Sequence, residues 1–355
     1  MHTAKLAKLP LKVDYSKIVN EVSRSQYSLG KLSALFRLVQ NPGLLISPLL
    51  VKEATLSSRI EGTQGSIVDA YLFEAGEDTD FPDTGEIINY RNAMDYAREA
   101  LGKKPLHLNL IKRLHYILME DVRGAAKARG DFRKVQNWIG PPGATLEQAT
   151  YVPPPPGVVM EYMDNFEKYI HSEERDLLVQ AAIIHLQFEC IHPFIDGNGR
   201  VGRMLIPLFL FEKKALPLPA LYVSEYFESR RDEYYSHLEA GRQEGYLEDW
   251  IGFFLEGICW QVEKTESTIT DMLSLYEGIK EKLYSSKSPN VLRMLDFIFT
   301  SPVFNNKEAA EKLGLNKVTV GRLVGHFVEL GILDESKQKR NRIYTFKKLI
   351  RIVQS

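Results

Sequence analysis

Residues 192–203 read His-Pro-Phe-Ile-Asp-Gly-Asn-Gly-Arg-Val-Gly-Arg. An apolar run, Leu177 to Cys190, precedes this stretch, and helical spacing resumes from about Asn198. Pro193 cannot continue the first helix, so the stretch is predicted to be a loop between two helices. The second helix would begin with free backbone N–H groups and the positive end of its dipole directed at the loop. Such an end binds anions.

The glycines and arginines of the stretch fit a phosphate. Gly197 and Gly199 are expected to allow the positive φ angles of a tight turn, and they carry no Cβ that would block an anion. Arg200 and Arg203 lie on the first turn of the second helix, three residues apart, so both are predicted to flank one phosphate chain. The planar guanidinium fork of arginine suits phosphate oxygens.

His192 and Asp196 add chemistry to this anion site. A histidine can take a proton near neutral pH, and general base catalysis contributes roughly 10²–10⁴-fold to a rate. Asp196 offers the hard oxygen that Mg²⁺ prefers, with phosphate oxygens completing its shell. The structural alternative is a glycine-rich connection whose His and Asp cap helix ends. That alternative does not require the paired arginines.

The stretch also resembles the signature of the Fic family, HPFx[DE]GNGRxxR, in nine of its twelve positions. The resemblance implies a mainly α fold, with a Fic helical core and this loop between two helices. It implies transfer of AMP from ATP to a hydroxyl group of a protein. By the same resemblance His192 would deprotonate a target Tyr, Ser or Thr, Phe194 would anchor the loop, and Asp196 would hold Mg²⁺.

The resemblance assigns the remaining motif residues to ATP. The amides of Gly197, Asn198 and Gly199 would form the anion hole, and the Asn198 side chain would contact the α-phosphate. Arg200 would contact the β-phosphate and Arg203 the γ-phosphate. The Doc branch of the family, which phosphorylates its targets, lacks the second glycine. The presence of Gly199 therefore favours AMP transfer.

Ser57, Glu61 and Gly62 resemble a second family pattern, [ST]xxxE[GN], found on an N-terminal inhibitory helix. In such proteins the glutamate pairs with the second motif arginine and occupies the space of the γ-phosphate. The resemblance implies that Glu61 pairs with Arg203 and inhibits the chain's own activity. Taken alone, a serine and a glutamate four residues apart on a helix are equally typical of a solvated face.

Residues 133–157 differ from the helical surroundings. Two short β-type runs flank a loop rich in Gly and Pro, and the run Pro153–Pro156 ends the element, so a hairpin is predicted. This hairpin resembles the family's flap beside the active site. Its edge could bind a target segment as an added strand, with Ile139 and Val152 as the docking residues. A purely structural hairpin is the alternative.

The C-terminal segment has its own charge. From Lys287 to Ser355 there are 13 basic and six acidic residues, a net charge of +7, so the remainder carries −8 of the total of −1. Helices are predicted at Asn306–Leu313 and Lys317–Leu330, with Ala310, Gly314 and Val320 at helix-turn-helix positions. A two-stranded wing is predicted from Gly331 to Phe346, with Lys337, Lys339, Arg340 and Arg342 at its tip. This segment resembles a winged helix that contacts either DNA or protein.

Composition limits the class of protein. Hydrophobic residues make up 44% and charged residues 26%, which is ordinary for a globular protein. No stretch of about 18 apolar residues exists and the first residues lack a signal-peptide core, so a cytoplasmic protein that does not enter membranes is expected. Cys190 and Cys259 lie in apolar runs and are predicted to be buried and inert.

These observations combine into three segments. Residues 1–100 are predicted as an N-terminal helical region with the inhibitory motif, 101–285 as the catalytic core with its small hairpin flap, and 286–355 as a winged helix-turn-helix domain. The leading hypothesis is an autoinhibited protein adenylyltransferase that uses ATP and Mg²⁺ on protein hydroxyls, its own included. The alternative is a DNA-binding regulator with the core as a nucleotide sensor. Family members often self-associate, so a homodimer stays open.

Overall fold

The structure is a computed structural model that describes residues 3–39, 41–77, 79–121, 128–141, 143–243, 245–284, 288–336 and 342–355. Within these residues the fold is mainly helical. The first eight helices are α1 (Val19–Leu38), α2 (Gly43–Ile60), α3 (Ile67–Glu74), α4 (Thr84–Leu101), α5 (Leu108–Leu118), α6 (Val159–Ile170), α7 (Leu177–Ile191) and α8 (Asn198–Glu212). The others are α9 (Ser224–Ser229), α10 (Arg231–Ala240), α11 (Leu247–Lys282), α12 (Pro289–Thr300), α13 (Asn306–Leu313), α14 (Lys317–Glu329) and α15 (Lys347–Gln354).

Helices α7 and α8 form the centre of the fold. Every residue of α7 after Leu177 is buried, as expected for a helix that is apolar on all sides. Its start is capped by Asp176, whose carboxylate accepts hydrogen bonds from the amides of Leu178 (2.9 Å) and Val179 (3.0 Å). α7 packs against α8, α6, α1 and α11. The loop between α7 and α8 is therefore held at both ends by buried helices.

Helix α2 is buried along most of its length and carries polar residues into the interior. Glu53 accepts hydrogen bonds from the hydroxyls of Tyr90 (3.1 Å) and Ser224 (2.6 Å), and burial raises the pKa of its carboxyl. Lys52 pairs with Glu225 at 2.9 Å. These contacts join α2 to α4 and α9. They hold the end of α2, with the predicted inhibitory residues, in one place against the central helices.

The predicted helices on either side of the motif, and the two predicted near the C-terminus, are confirmed with bounds that agree within one or two residues. Helices α3, α12 and α15 were not predicted, although a local signal exists for α3. The Ser66 side chain accepts from the amide of Asp69 (3.2 Å) and the Asp69 carboxylate accepts from the amide of Ser66 (2.8 Å). This is a capping box, which marks a helix start by sequence alone.

The predicted hairpin in residues 133–157 is wrong in its extent. In the described part of this segment the backbone pairs only at one antiparallel bridge, Ile139 with Tyr151, and no strand is formed. Proline is the physical reason: Pro141 and Pro153–Pro156 have no amide donor and cannot extend a ladder. The segment is a loop closed by a single pair of residues.

The three-stranded sheet of the described residues lies instead near the C-terminus. Its strands are β1 (Val303–Asn305), β2 (Asp334–Glu335) and β3 (Ile343–Thr345), in the antiparallel order β1-β3-β2. The two predicted helices are confirmed as α13 and α14, and Gly314 between them has φ +63°. Lys337, Lys339 and Arg340 lie outside the described residues. The winged-helix assignment stays a prediction.

The C-terminal segment packs directly on the rest of the chain. The Ser47 hydroxyl of α2 donates to the Thr300 carbonyl (3.0 Å), and the Asn305 side chain donates to the Ala75 carbonyl (2.7 Å). The buried apolar residues of all three predicted segments belong to one continuous cluster. The predicted boundaries at 100 and 285 therefore do not separate independent cores, and the division into domains stays a prediction.

Candidate active site

The loop between α7 and α8 starts with an unusual backbone conformation. His192 ends α7 in the left-handed region (φ 49°, ψ 58°), and its amide donates to the Phe188 carbonyl at 2.9 Å. A non-glycine residue in this region is uncommon and marks strain that functional sites often hold. The turn sends the chain away from α7 toward α8. It leaves the His192 imidazole at the wall of a cavity between the helices.

The two motif glycines have different tasks, which corrects the prediction that both take positive φ. Only Gly197 does so (φ +73°), directly before α8. Gly199 lies inside the first turn of α8, and a Cβ there would lie 2.1 Å from Oε1 of Glu61. Gly199 is thus required for the close approach of another group to the start of the helix.

Phe194 and Asn198 hold the loop in its shape. Phe194 is fully buried, as predicted, and stacks on His115 with ring centroids 3.8 Å apart. The amide of Phe194 donates to Oδ1 of Asn198 (2.8 Å), and Nδ2 of Asn198 donates to the Phe194 carbonyl (2.9 Å). Both ends of the Asn198 side chain are therefore bonded to the loop itself. Asn198 also lines the cavity, and the predicted contact of its side chain with a phosphate stays a prediction.

His115 was not singled out from the sequence, where a lone histidine gives no signal of its contacts. Its Nδ1 accepts from the amide of Gly130 (2.9 Å), so the proton resides on Nε2, which lies 3.1 Å from the Asp196 carbonyl. Burial lowers the pKa of His115 to about 4. The neutral ring thus bridges α5 to the motif loop from below.

Asp196 combines a structural contact with an accessible oxygen. Its Oδ1 accepts from the amide of Gly197 at 2.6 Å, so this amide is occupied and the predicted anion hole loses one of its three donors. The side chain is half exposed and lines the cavity, and Oδ1 lies 3.9 Å from Arg200. The described residues contain no cluster of three or more metal-ligating side chains. A single carboxylate fits an ion such as Mg²⁺ only when other oxygens complete its shell.

Arg203 and Glu61 form the pair that the sequence predicts. The guanidinium of Arg203 is almost fully buried and donates to Oε1 of Glu61 (2.6 Å), to the Ser57 hydroxyl (2.8 Å) and to the Ser57 carbonyl (2.9 Å). Burial alone would raise the pKa of Glu61, but Arg203 lowers it below its ordinary value. Glu61 is therefore ionised at neutral pH. Gly62, which follows it, has φ +101° and ends the turn after α2.

Arg200 departs from its predicted place. Its guanidinium is buried and donates to Oε2 of Glu86 in α4 (2.5 Å), and the same oxygen accepts from the Thr63 hydroxyl (3.1 Å). Arg200 does not line the cavity, whereas Arg203 does. Glu86 was not predicted, because nothing local links it to residue 200. Of the two arginines only Arg203 lines the cavity, and its predicted contact with a phosphate stays a prediction.

The cavity beside the loop has a volume of about 340 Å³. Its wall combines the motif loop and the start of α8 with Glu61, with Glu189, with Tyr234 and Tyr235 of α10, and with residues 138–140. Burial lowers the pKa of His192 to about 4, against the charge of Glu61, so its imidazole is neutral at physiological pH. The site therefore offers a neutral base beside a helix start and an arginine.

The two predicted docking residues of the flap are separated by the structure. Ile139 lines the cavity, and its neighbour Trp138 is exposed. Val152 is buried, and its carbonyl accepts from the amide of Ala4 at 2.9 Å. Ile139 is therefore accessible from the cavity, whereas the N-terminal segment already occupies the backbone carbonyl of Val152.

Both the sequence and the fold of this chain are similar to those of known proteins. The family model described as Fic/DOC family matches residues 105–210, and the one described as Fic/DOC family N-terminal matches residues 19–99. Together the two models cover more than half of the chain. The chain belongs to the Fic/DOC family.

Curated relatives of this Fic protein include protein adenylyltransferase Fic of Drosophila yakuba, which is 27% identical over 237 residues. Protein adenylyltransferase Fic of Drosophila melanogaster is 26% identical over 237 residues. Each match covers 64% of this chain but only 44% of the relative. The chain thus spans less than half the length of these relatives.

Solved structures share the fold of this Fic protein. A Fic family protein from Desulfovibrio desulfuricans G20 has a TM-score of 0.59 at 20% identity, with 96% of this chain and 98% of that chain covered. Fic-1 from C. elegans has a TM-score of 0.54 at 19% identity, with 71% and 74% covered. At these identities the likeness establishes the fold alone.

Arg133 ties the flap segment of this Fic protein to the motif loop, a role that its sequence context does not indicate. Its guanidinium donates to the carbonyls of His192 (2.9 Å), Pro154 (2.5 Å) and Ile191 (3.3 Å). Burial lowers the pKa of Arg133 to about 10, which still leaves it charged at neutral pH.

Arg133→Lys should lower the free energy of unfolding by about 2–3 kcal/mol, because a lysine cannot reach three carbonyls in a planar fork and hydrogen bonds from charged donors are strong. Urea denaturation of both proteins measures this difference. Arg231→Lys, at an exposed position, serves as the control and should stay within about 0.5 kcal/mol. Equal stability of Arg133→Lys and the unchanged protein would contradict the bridging role.

Glu189 should make stability depend on pH. Burial raises the pKa of its carboxyl from 4.5 to about 7, with the charge of Glu61 adding to the effect. Between these values the unfolded chain has released this proton while the folded chain keeps it, so stability falls as pH rises. Glu189→Gln removes the titrating carboxyl and with it this loss of stability at higher pH. We expect its stability relative to the unchanged protein to increase by up to about 3 kcal/mol from pH 4.5 to roughly pH 8.

Chemical denaturation at both pH values measures the Glu189→Gln effect. The difference between the two proteins, rather than either curve alone, isolates this carboxyl from the other titrating groups. A difference that stays constant with pH would show that Glu189 titrates normally.

No helix among the described residues combines the length and apolar character that crossing a bilayer requires. Cys190 and Cys259 are both free and buried, as predicted, and burial raises the pKa of each thiol.

Proposed function

We propose that this chain is a protein adenylyltransferase that transfers AMP from ATP to a Tyr, Ser or Thr hydroxyl of a target protein, and that its own Glu61 inhibits it. The curated relatives carry the name protein adenylyltransferase. One observation carries the proposal: a single cavity holds a neutral imidazole, the open start of α8 and an arginine whose partner comes from another helix. These are the groups needed to bind a triphosphate and to accept a proton.

The transfer step follows from these positions. The target hydroxyl gives its proton to His192 while its oxygen forms a bond to the α-phosphorus of ATP. The bond from that phosphorus to the bridging oxygen breaks, and pyrophosphate leaves. The first-turn amides of α8 have no acceptor within the helix and stabilise the charge on the α-phosphoryl group.

Mg²⁺ fits this site through one protein ligand. Asp196 would hold it together with phosphate oxygens, and when bound it neutralises charge on the phosphate chain. The exposed half of the Asp196 side chain supports this role, since the carboxylate faces the cavity from the loop. Arg203, once free of Glu61, is the group placed to hold the γ-phosphate.

The identity of the transferred group is tested with two labelled nucleotides. Purified chain incubated with ATP labelled at the α-phosphate should become labelled, and ATP labelled at the γ-phosphate should leave it unlabelled. Label from the γ-phosphate alone would indicate phosphoryl transfer and overturn the proposal. Gly199 supports AMP transfer, because the phosphorylating branch of the family lacks this glycine.

Inhibition by Glu61 rests on space as well as on charge. Oε1 of Glu61 lies 2.1 Å from the position that a Cβ of residue 199 would take, directly against the start of α8. It also accepts the hydrogen bond from Arg203 that a γ-phosphate would otherwise accept. ATP and Glu61 therefore compete for one arginine and one space.

The target protein is proposed to dock beside Ile139. Ile139 lines the cavity and Trp138 next to it is 41% exposed, so an extended segment can lie along this part of the flap. Ile139→Ser should weaken target modification while self-modification of the chain persists. Because Val152 is buried, Val152→Ser tests folding rather than docking.

A second candidate function is binding of DNA through the C-terminal segment. Lys317, Val318 and Arg322 lie exposed on α14, and the segment is strongly basic. Binding of duplex DNA that weakens between roughly 50 and 200 mM salt, and that is lost in a Lys317→Ala/Arg322→Ala variant, would support it. Binding that is independent of salt or of these residues would favour contacts with protein.

A further inference from the structure

Glu189 is a buried carboxylate at the wall of the active-site cavity, in the last turn of α7. Its Oε1 has no hydrogen-bond partner among the described residues. Gly202 of α8 faces it, and a Cβ at that position would lie 2.3 Å from the same oxygen. The carboxylate is thus confined between the two central helices, and the transfer step described above does not use it.

A second buried polar atom faces this carboxylate. Nδ1 of His192 makes no hydrogen bond of good geometry among the described residues, although the Glu189 backbone carbonyl lies close enough to raise the pKa of the ring. Oε2 of Glu189 lies 4.0 Å from Nδ1. In the protein interior a polar atom without a hydrogen bond costs free energy, so Nδ1 of His192 and Oε1 of Glu189 would each be stabilised by a partner. A shift of about 1 Å would bring Nδ1 and the carboxylate within hydrogen-bond distance.

We propose that Glu189 is a positioning residue for His192: in the active chain its carboxylate accepts a hydrogen bond from Nδ1–H and leaves Nε2 free as the base. The bonded nitrogen determines which tautomer the imidazole adopts. After Nε2 takes the proton of the target hydroxyl, the neighbouring negative charge stabilises the imidazolium. This inference rests on the proposed function, since it assigns His192 as the base.

The surroundings connect this role to inhibition by Glu61. The charged and titratable groups that face His192 and Glu189 are Glu61, Arg133, Cys190, Arg203, Tyr234, Tyr235 and Arg242. Burial raises the pKa of Glu189, the charge of Arg203 lowers it, and the charge of Glu61 raises it again. When Glu61 leaves, that repulsion ends and Glu189 ionises more readily. Release of Glu61 would therefore free Arg203 and, at the same time, favour the ionised Glu189 that positions His192.

The test reads the tautomer of His192 directly. The full chain with Glu61→Gly is labelled with ¹⁵N-histidine, and His192→Ala identifies the signals of His192. At about pH 8 the parent should show mainly the Nδ1–H tautomer. Glu189→Met, which has no carboxylate but similar volume, should shift the population toward Nε2–H. Glu248→Gln removes a comparably buried carboxylate far from the cavity and should leave the signals unchanged.

Kinetics of AMP transfer accompany the spectra. Glu189→Gln keeps the volume and an acceptor oxygen but loses the charge, so we expect kcat to fall about tenfold at unchanged KM for ATP. An unchanged tautomer in Glu189→Met, with or without loss of kcat, would overturn the proposal, as would full kcat in Glu189→Gln. The Glu189→Met substitution could also shift the tautomer while the parent chain transfers no AMP. That result would support the contact between His192 and Glu189 and would reject the adenylyltransferase function.

Discussion

Glu61→Gly should raise the initial rate at which the chain labels itself from α-labelled ATP by about tenfold or more. In the unchanged chain Glu61 is ionised, holds the buried Arg203 and fills the space above Gly199. Removing it frees both the cation and the space for the γ-phosphate. A tenfold or larger effect corresponds to a coupling of about 1.4 kcal/mol or more between the two occupants. Initial rates at a fixed ATP concentration measure it.

Two variants show which property of Glu61 matters. Glu61→Gln keeps the shape but not the charge, so its rate should lie between those of the unchanged chain and Glu61→Gly. Glu228→Gln, in α9, weakens an ion pair with Arg59 of α2, in which the two side chains lie 3.8 Å apart. Neither residue lines the cavity, so this variant should have no effect. Equal initial rates for the unchanged chain and Glu61→Gly would end the idea of autoinhibition.

His192→Ala, introduced into the Glu61→Gly chain, should reduce AMP transfer by about 10²-fold or more. Burial keeps the His192 imidazole neutral, and the backbone turn after α7 directs it into the cavity. Alanine leaves the target hydroxyl without a proton acceptor. ATP binding should persist, because the start of α8 and Arg203 are unchanged. Single-turnover rates with α-labelled ATP measure the loss, and calorimetry measures the binding.

His171→Ala provides the matched control. His171 is half exposed at the end of α6 and faces Glu212 at 3.7 Å, away from the cavity. Its transfer rate should stay within about twofold of the parent. Substantial transfer by the chain with both Glu61→Gly and His192→Ala would mean that His192 is not the base.

The helices and the motif could be predicted from the sequence because their signals are local. Apolar periodicity indicates α7 and α8. Pro193 and Gly197 mark the turn between them. The pairing of Glu61 with Arg203 came from resemblance to a family pattern, and the structure contains that contact.

The features that the sequence predicts wrongly or does not predict are mainly contacts between distant parts of the chain. Glu86 holds Arg200 from α4, and Arg133 ties the flap to the motif loop; neither contact leaves a trace in spacing or composition. The flap was predicted as a hairpin because β-type residues flank a turn. Proline, which has no amide donor, reduces it to one bridge.

Short-range backbone preferences are therefore enough to predict a helical chain in which a loop with a histidine precedes a helix start, because each signal involves neighbouring residues. Long-range packing settles how that loop is used. It brings Glu61 against Gly199, removes Arg200 from the cavity by pairing it with Glu86, and confines Glu189 beside His192. Such contacts depend on which surfaces of the helices are buried against each other. The charges at the site depend on that burial and on the groups that it pairs. Both therefore arise only when the helices pack together.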